Sequence, residues 1–143
     1  MPVTSVHAAG TEQGLTRSMR FARVVFTIAG VWGVLIMTPL YFAFDAVGRA
    51  YPPPLTHPDV YYGFIGVTLA WQIAFLMIAA DPLRYRMIML AGILEKSLYV
   101  GTIITLYLLG QLKPAQAAAI IVPDGALGLL FVASFFKTPS LNA

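Results

Sequence analysis

The sequence predicts an all-α membrane protein, an antiparallel bundle of four transmembrane helices. Hydrophobic residues make up 59% of the 143 residues and charged residues only 10%. The mean hydropathy is +0.79, which is far above the range of soluble domains. Four apolar stretches each approach or exceed the roughly 20 residues that a helix needs to cross the hydrocarbon core. The segments between them are too short to fold as separate domains.

The chain divides into one membrane domain with a short tail at each end. Residues 1–14 are small and polar and have no apolar period, which is typical of a disordered terminus, so we predict a flexible cytoplasmic tail there. Residues 15–137 form the predicted four-helix transmembrane domain, and residues 138–143 form a short cytoplasmic tail. The first apolar stretch, residues 24–44, exceeds the 7–15 residues of a signal-peptide core, so we expect it to remain as an anchor.

The other three stretches cover residues 60–80, 87–112 and 115–136. The loop over residues 45–59 contains four of the ten prolines, so we predict a stiff, extended connection. Asp81 followed by Pro82 predicts a capped start for the third helix. The short connection at this point predicts that the second and third spans form an antiparallel hairpin.

The fourth stretch is interrupted by Pro123-Asp124-Gly125. Proline removes a backbone donor and glycine has a low helix propensity. We therefore predict that the fourth helix is bent or broken there. At membrane depth, an interrupted helix is tolerated only where protein or water covers its free backbone groups.

Cations next to the stretches predict the orientation. Six lie on one side and two on the other: Arg17, Arg20, Arg23, Arg84, Arg86 and Lys137 against Arg49 and Lys113. Because Lys and Arg concentrate in cytoplasmic flanks, both termini are predicted to be cytoplasmic. The predicted location is the bacterial inner (cytoplasmic) membrane, as an integral membrane protein.

A layer of polar groups crosses the predicted bundle. Glu95 and Lys96 lie side by side within an apolar run, where a charge costs about 2.5–3.5 kcal/mol on insertion scales. With a rise of about 1.5 Å per residue, Glu95 and Lys96 lie about 10 and 12 Å inside the hydrocarbon edge, and Asp124 about 17 Å. Lys96 is therefore within reach of Asp124. The candidate ligand-binding residues in and near this layer are Trp32, Trp71, Gln72, Glu95, Lys96, Tyr99 and Asp124.

Two interpretations of this layer remain open. In a structural one, Lys96 extends toward the headgroups together with Glu95, and Asp124 caps the second half of a broken helix. In a functional one, the polar groups surround a cavity, with Trp32 and Trp71 as its walls. Ionisable residues inside a membrane are functional candidates by default.

Three hypotheses of function follow. The first is a small multi-pass membrane protein that binds a hydrophobic small molecule or lipid in the polar layer. The second is a non-catalytic accessory subunit or homo-oligomer, supported by the Gly-rich spans, and the third is proton or ion transport as an oligomer. The spans contain no His and the chain no Cys, so we identify no catalytic residue, no cofactor and no metal site. The dispersed cations predict no nucleic-acid partner.

The predicted orientation can be tested with reporter fusions. Fusions after Leu15 and after Leu141 should both give cytoplasmic signals, because six of the eight flanking cations lie on that side. A signal from the opposite side at either position would contradict the prediction.

Overall fold

The computed structural model describes residues 3–51 and 54–140, and within them the fold is entirely helical. In chain order the helices are α1 (Val3–Met37), a 3-10 turn (Thr38–Phe42), α2 (Phe44–Ala50), α3 (Pro58–Ala80), α4 (Arg86–Leu108) and α5 (Pro114–Lys137). Four segments in the described part of the chain are long and apolar enough to span a membrane: Thr16–Phe42, Pro58–Ala80, Arg86–Leu108 and Pro114–Lys137. The four-helix membrane fold predicted from the sequence is confirmed.

The N-terminal segment and the loop after the first span differ from the prediction. Helix α1 begins at Val3, so helix covers most of the segment for which the sequence predicted a flexible tail. Extending a helix that already exists requires no new nucleation, and residues 3–14 contain no proline. The loop predicted to be extended begins instead with the short helix α2. Among the described residues of this loop, only those between Tyr51 and Pro58 lack regular structure.

Local signals explain how α4 begins and ends. The Asp81 carboxylate accepts a hydrogen bond from the backbone N–H of Arg84 at 3.1 Å, and this bond caps the turn that contains Pro82. Helix α4 begins at Arg86, which is about one turn later than an N-cap at Asp81 predicts. At the other end, Gly110 has φ +72°, and the N–H of Gln111 binds the carbonyl of Leu106 at 3.0 Å. This is a Schellman ending, which favours glycine because a side chain is strained at positive φ.

The helices pack as two antiparallel pairs, α1 with α3 and α4 with α5. Helices α3 and α4 follow each other as the predicted hairpin, but their mutual contact is small. The α1–α3 pair is close because Gly30 lies against Leu76 of α3, and a Cβ on Gly30 would be 2.7 Å from the Leu76 side chain. Small residues permit this approach between membrane helices.

The buried core lies in the half of the bundle near the predicted cytoplasmic end. Phe26, Phe75 and Phe131 are fully buried, and the rings of Phe26 and Phe131 stack with centroids 4.2 Å apart. These three rings join α1, α3 and α5. Met89 of α4 is buried in the same cluster.

Arginine side chains bind the ends of helices at this same end of the bundle. The Arg23 guanidinium donates to the carbonyls of Ala79 and Ala80 at 3.1 and 3.3 Å, and Arg86 donates to the carbonyl of Thr138 at 2.7 Å. Carbonyls at a helix C-terminus have no partner within the helix, and cations there are favoured by the helix dipole. The sequence analysis used these arginines only as flanking cations that indicate the orientation.

Replacing Gly30 with alanine should lower the stability of the α1–α3 pair. The new Cβ overpacks the contact with Leu76, which typically costs about 1–3 kcal/mol. Thermal unfolding in detergent should show a lower midpoint. Gly63→Ala is the matched control, because a Cβ at Gly63 meets nothing within 4 Å, and its midpoint should stay equal or rise. A Gly30→Ala variant as stable as the control would contradict the close contact.

Candidate functional site

The half of the bundle away from the aromatic core contains a cavity of about 330 Å³. Side chains and backbone from α1, α3, α4 and α5 form its lining. The lining residues are Ala29, Trp32, Gly33, Ile36, Met37, Phe64, Thr68, Gln72, Glu95, Lys96, Tyr99, Ala119, Ile120, Pro123, Asp124 and Leu127. The cavity therefore lies between the two helix pairs, where the polar layer was predicted.

The charged residues of the cavity form a triad of Glu95, Lys96 and Asp124. Lys96 Nζ is 2.6 Å from Asp124 Oδ1 and 3.4 Å from Glu95 Oε2. The Lys96 side chain is only 9% exposed, and the two carboxylate side chains are 19% and 21% exposed. The ammonium is thus held between two carboxylates in the bundle interior, which is how membrane proteins accommodate such charges.

The two carboxylates are not equivalent. Asp124 accepts a short charge-assisted hydrogen bond from Lys96. Glu95 Oε2 is buried and has no hydrogen-bond partner within the described residues, although it lies close to the Lys96 charge. A buried acceptor without a hydrogen bond is costly, so Glu95 is the member of the triad with unused bonding capacity.

Neutral side chains complete the polar part of the wall. Gln72 is 3% exposed and donates from Nε2 to the carbonyl of Thr68, one turn earlier, at 3.0 Å. Its amide lies against Gly33 of α1, where a Cβ would come within 2.0 Å of the amide oxygen. Gly33 therefore lets α1 approach a polar side chain of α3.

Aromatic rings form the apolar wall. Trp32 is 56% exposed and lies at the rim of the cavity. The rings of Phe64 and Tyr99, on α3 and α4, have centroids 6.4 Å apart. Phe64 lies in an otherwise apolar helix, so its hydropathy alone could not distinguish it from a residue facing lipid. The sequence analysis missed it together with Thr68.

Six of the seven candidate residues line the cavity, and Trp71 does not. Trp71 packs against the aromatic core, with its ring 6.0 Å from that of Phe75. It neighbours Gln72 in sequence, but adjacent helical residues are turned by about 100° from each other. The expectation that Trp71 forms a wall of the cavity is therefore wrong.

Helix α5 continues through Pro123, Asp124 and Gly125 without a break. The sequence predicted a bent or broken helix, and the continuous helix excludes the break, so Asp124 caps no half-helix. Pro123 has no N–H, so the carbonyl of Ala119 lacks the donor four residues later. Ala119 and Pro123 both line the cavity, which places this altered turn beside the triad.

The alternative in which Lys96 extends to the headgroups does not hold either. Its Nζ is directed to Asp124 on the neighbouring helix and lies 5.7 Å from the centre of the Phe75 ring in the core. The predicted contact between Lys96 and Asp124 is present.

Comparisons with protein-family models, curated proteins and solved structures gave no match. The geometry of the cavity is therefore the basis for assigning a function.

The Lys96–Asp124 pair should behave as one energetic unit. Lys96→Met removes the counter-charge of both Asp124 and Glu95, which costs on the order of 3–5 kcal/mol. Asp124→Leu leaves Lys96 beside Glu95, so it should cost less, and adding it to Lys96→Met should regain part of the loss. Thermal unfolding of the four proteins in detergent gives the coupling energy. A value well above the roughly 0.6 kcal/mol average for hydrogen bonds in membranes is expected, and additive small effects would contradict a buried pair.

Proposed function

We propose that this multi-pass membrane protein binds a hydrophobic small molecule in the cavity between its helix pairs. The observation that carries the proposal is the buried Glu95 carboxylate oxygen, which has no hydrogen-bond partner in the described part of the chain and lies beside a cavity of about 330 Å³. Small-molecule sites are typically apolar cavities of about 300–1,000 Å³ with a few polar groups that fix orientation. Both properties occur here in one place.

The distribution of side chains around the cavity supports this function. Trp32, Phe64 and Ile36 provide apolar contact area, and the charged triad lies on the opposite helix pair. A ligand with an apolar body and one polar group matches such a wall. The extensive apolar surface of the four helices, including Leu35, Val67, Leu98 and Leu129, supports insertion in the lipid bilayer, from which hydrophobic compounds can be supplied.

A scaffold role explains less of the site. A purely structural ion pair needs Lys96 and one carboxylate, and Asp124 already provides that carboxylate at 2.6 Å. The second carboxylate, Glu95, raises the desolvation cost of the bundle. It adds a longer ion pair at 3.4 Å, and its Oε2 has no hydrogen bond to any described residue. Ligand binding gives Glu95 a partner.

The proposal can be tested by filling the cavity. Ala119→Phe adds a ring to the cavity wall, whereas Ala118→Phe adds the same ring to an exposed neighbouring position outside the lining. A panel of neutral and charged ring compounds with about ten non-hydrogen atoms is screened for protection against thermal unfolding in detergent. At least one compound should raise the midpoint of the unaltered protein and of Ala118→Phe, because binding to the native state stabilises it.

The same compound should give no protection to Ala119→Phe. Protection that persists in this variant would place binding elsewhere, and a panel without any protecting compound would overturn the proposed function. Trp71→Phe leaves Trp32 as the only tryptophan, so a change in its fluorescence on binding gives an independent measurement at the rim of the cavity.

A further inference from the structure

We infer that the ligand of this cavity is a hydrophobic organic cation, held by Glu95 and by the aromatic rings of Trp32, Phe64 and Tyr99. This inference rests on the proposed function and adds the chemical class of the ligand. It follows from the charge of the triad, the state of Lys96 and the chemistry of the apolar wall.

The charge of the triad is not balanced. With all three groups ionised, Glu95 and Asp124 contribute two negative charges and Lys96 one positive charge. One negative charge is therefore left over in the bundle interior. An uncompensated ion is strongly disfavoured there, so this charge is removed either by protonation of a carboxylate or by pairing with a cation. The ion pairs that the two carboxylates make with described residues are those with Lys96. The Arg23 guanidinium instead binds the carbonyl of Ala79, seven residues or about 10 Å along α3 from Gln72.

Lys96 is not available to attract an anion. Its ammonium is 2.6 Å from Asp124 and 3.4 Å from Glu95, so an anionic ligand would add a third negative charge around one positive charge. A cation instead restores neutrality and provides Glu95 Oε2 with a partner. The sign of the missing charge is thus set by the three side chains together.

The apolar wall suits a cation as well. A cation placed over the face of an aromatic ring is attracted by the ring quadrupole, most strongly over tryptophan. Trp32 lies at the rim, and the Phe64 and Tyr99 rings lie 6.4 Å apart on the adjacent helices. An alkylated ammonium attached to an apolar ring can contact these aromatic faces and the carboxylate within one cavity.

Two probes of the same shape separate charge from hydrophobicity. Phenyltrimethylammonium and tert-butylbenzene differ only in a positively charged nitrogen in place of a carbon. Their binding is measured in two ways. One is protection of the unaltered protein against thermal unfolding, and the other is Trp32 fluorescence in the Trp71→Phe protein. The cation should bind about tenfold more tightly or better, because the carboxylate and the aromatic faces act on it and not on the neutral probe.

Glu95→Gln should abolish this preference, because it removes the charge and keeps the shape of the side chain. The unfolding midpoint of Glu95→Gln without ligand should stay close to that of the unaltered protein, because Asp124 remains the closer partner of Lys96 and Glu95 Oε2 has no hydrogen bond to the residues that the structure describes. Glu95→Asp, which retains the charge, should retain the preference. The two-probe comparison on the unaltered protein decides the ligand class even if a Glu95 variant does not fold.

Each outcome has a distinct meaning. Equal binding of the two probes, or tighter binding of tert-butylbenzene, would overturn the cation assignment and leave the proposed function standing. A cation preference that survives in Glu95→Gln would overturn the role of Glu95. Absence of binding by both probes overturns the cation assignment, and absence of binding by the whole panel overturns the proposed function. Binding of the cation by Ala119→Phe would place it outside the cavity and also overturn the inference.

Discussion

The ion pair between Lys96 and Asp124 is the interaction on which the arrangement of this bundle depends. In hydrocarbon, helices gain little by hiding apolar surface from each other, and polar contacts help to decide how they associate. A charge on α4 and its counter-charge on α5 therefore determine the register of that helix pair. Gly128 lies against Lys96, where an added Cβ would be 3.4 Å from the Lys96 Cβ, so packing and charge specify the same register.

The two halves of the bundle have different roles. In the half near the arginines, Phe26, Phe75 and Phe131 fill the space between the helices. In the other half, the helices enclose a cavity with a charged wall. Dense packing at one end allows the other end to remain unfilled, because the helix pairs are already fixed relative to each other. In the proposed function, a rigid scaffold of this kind would keep Glu95 oriented without a ligand.

The sequence was sufficient to predict features that depend on one helix or on depth. Hydropathy identified the four spans, and counting residues along each helix placed Glu95, Lys96 and Asp124 in one layer. It was insufficient wherever the neighbouring helix decided the outcome. Trp71 and Phe64 are both aromatic residues of α3, and only the packing of α1 and α4 determines that Phe64 lines the cavity while Trp71 joins the core. Pro123 removes one backbone donor, yet α5 is helical through this residue.

The bonds of Arg23 and Arg86 to distant carbonyls bear on how the protein is made. The acceptors of Arg23 are 56 and 57 residues later in the chain, and that of Arg86 is 52 residues later. At a synthesis rate of about 5–20 residues per second, the acceptor residue is added to the chain roughly 3–11 s after the arginine. Until that time the guanidinium cannot form this bond. This end of the bundle therefore closes only after the acceptor residues of α3 and of the segment after α5 have been synthesised.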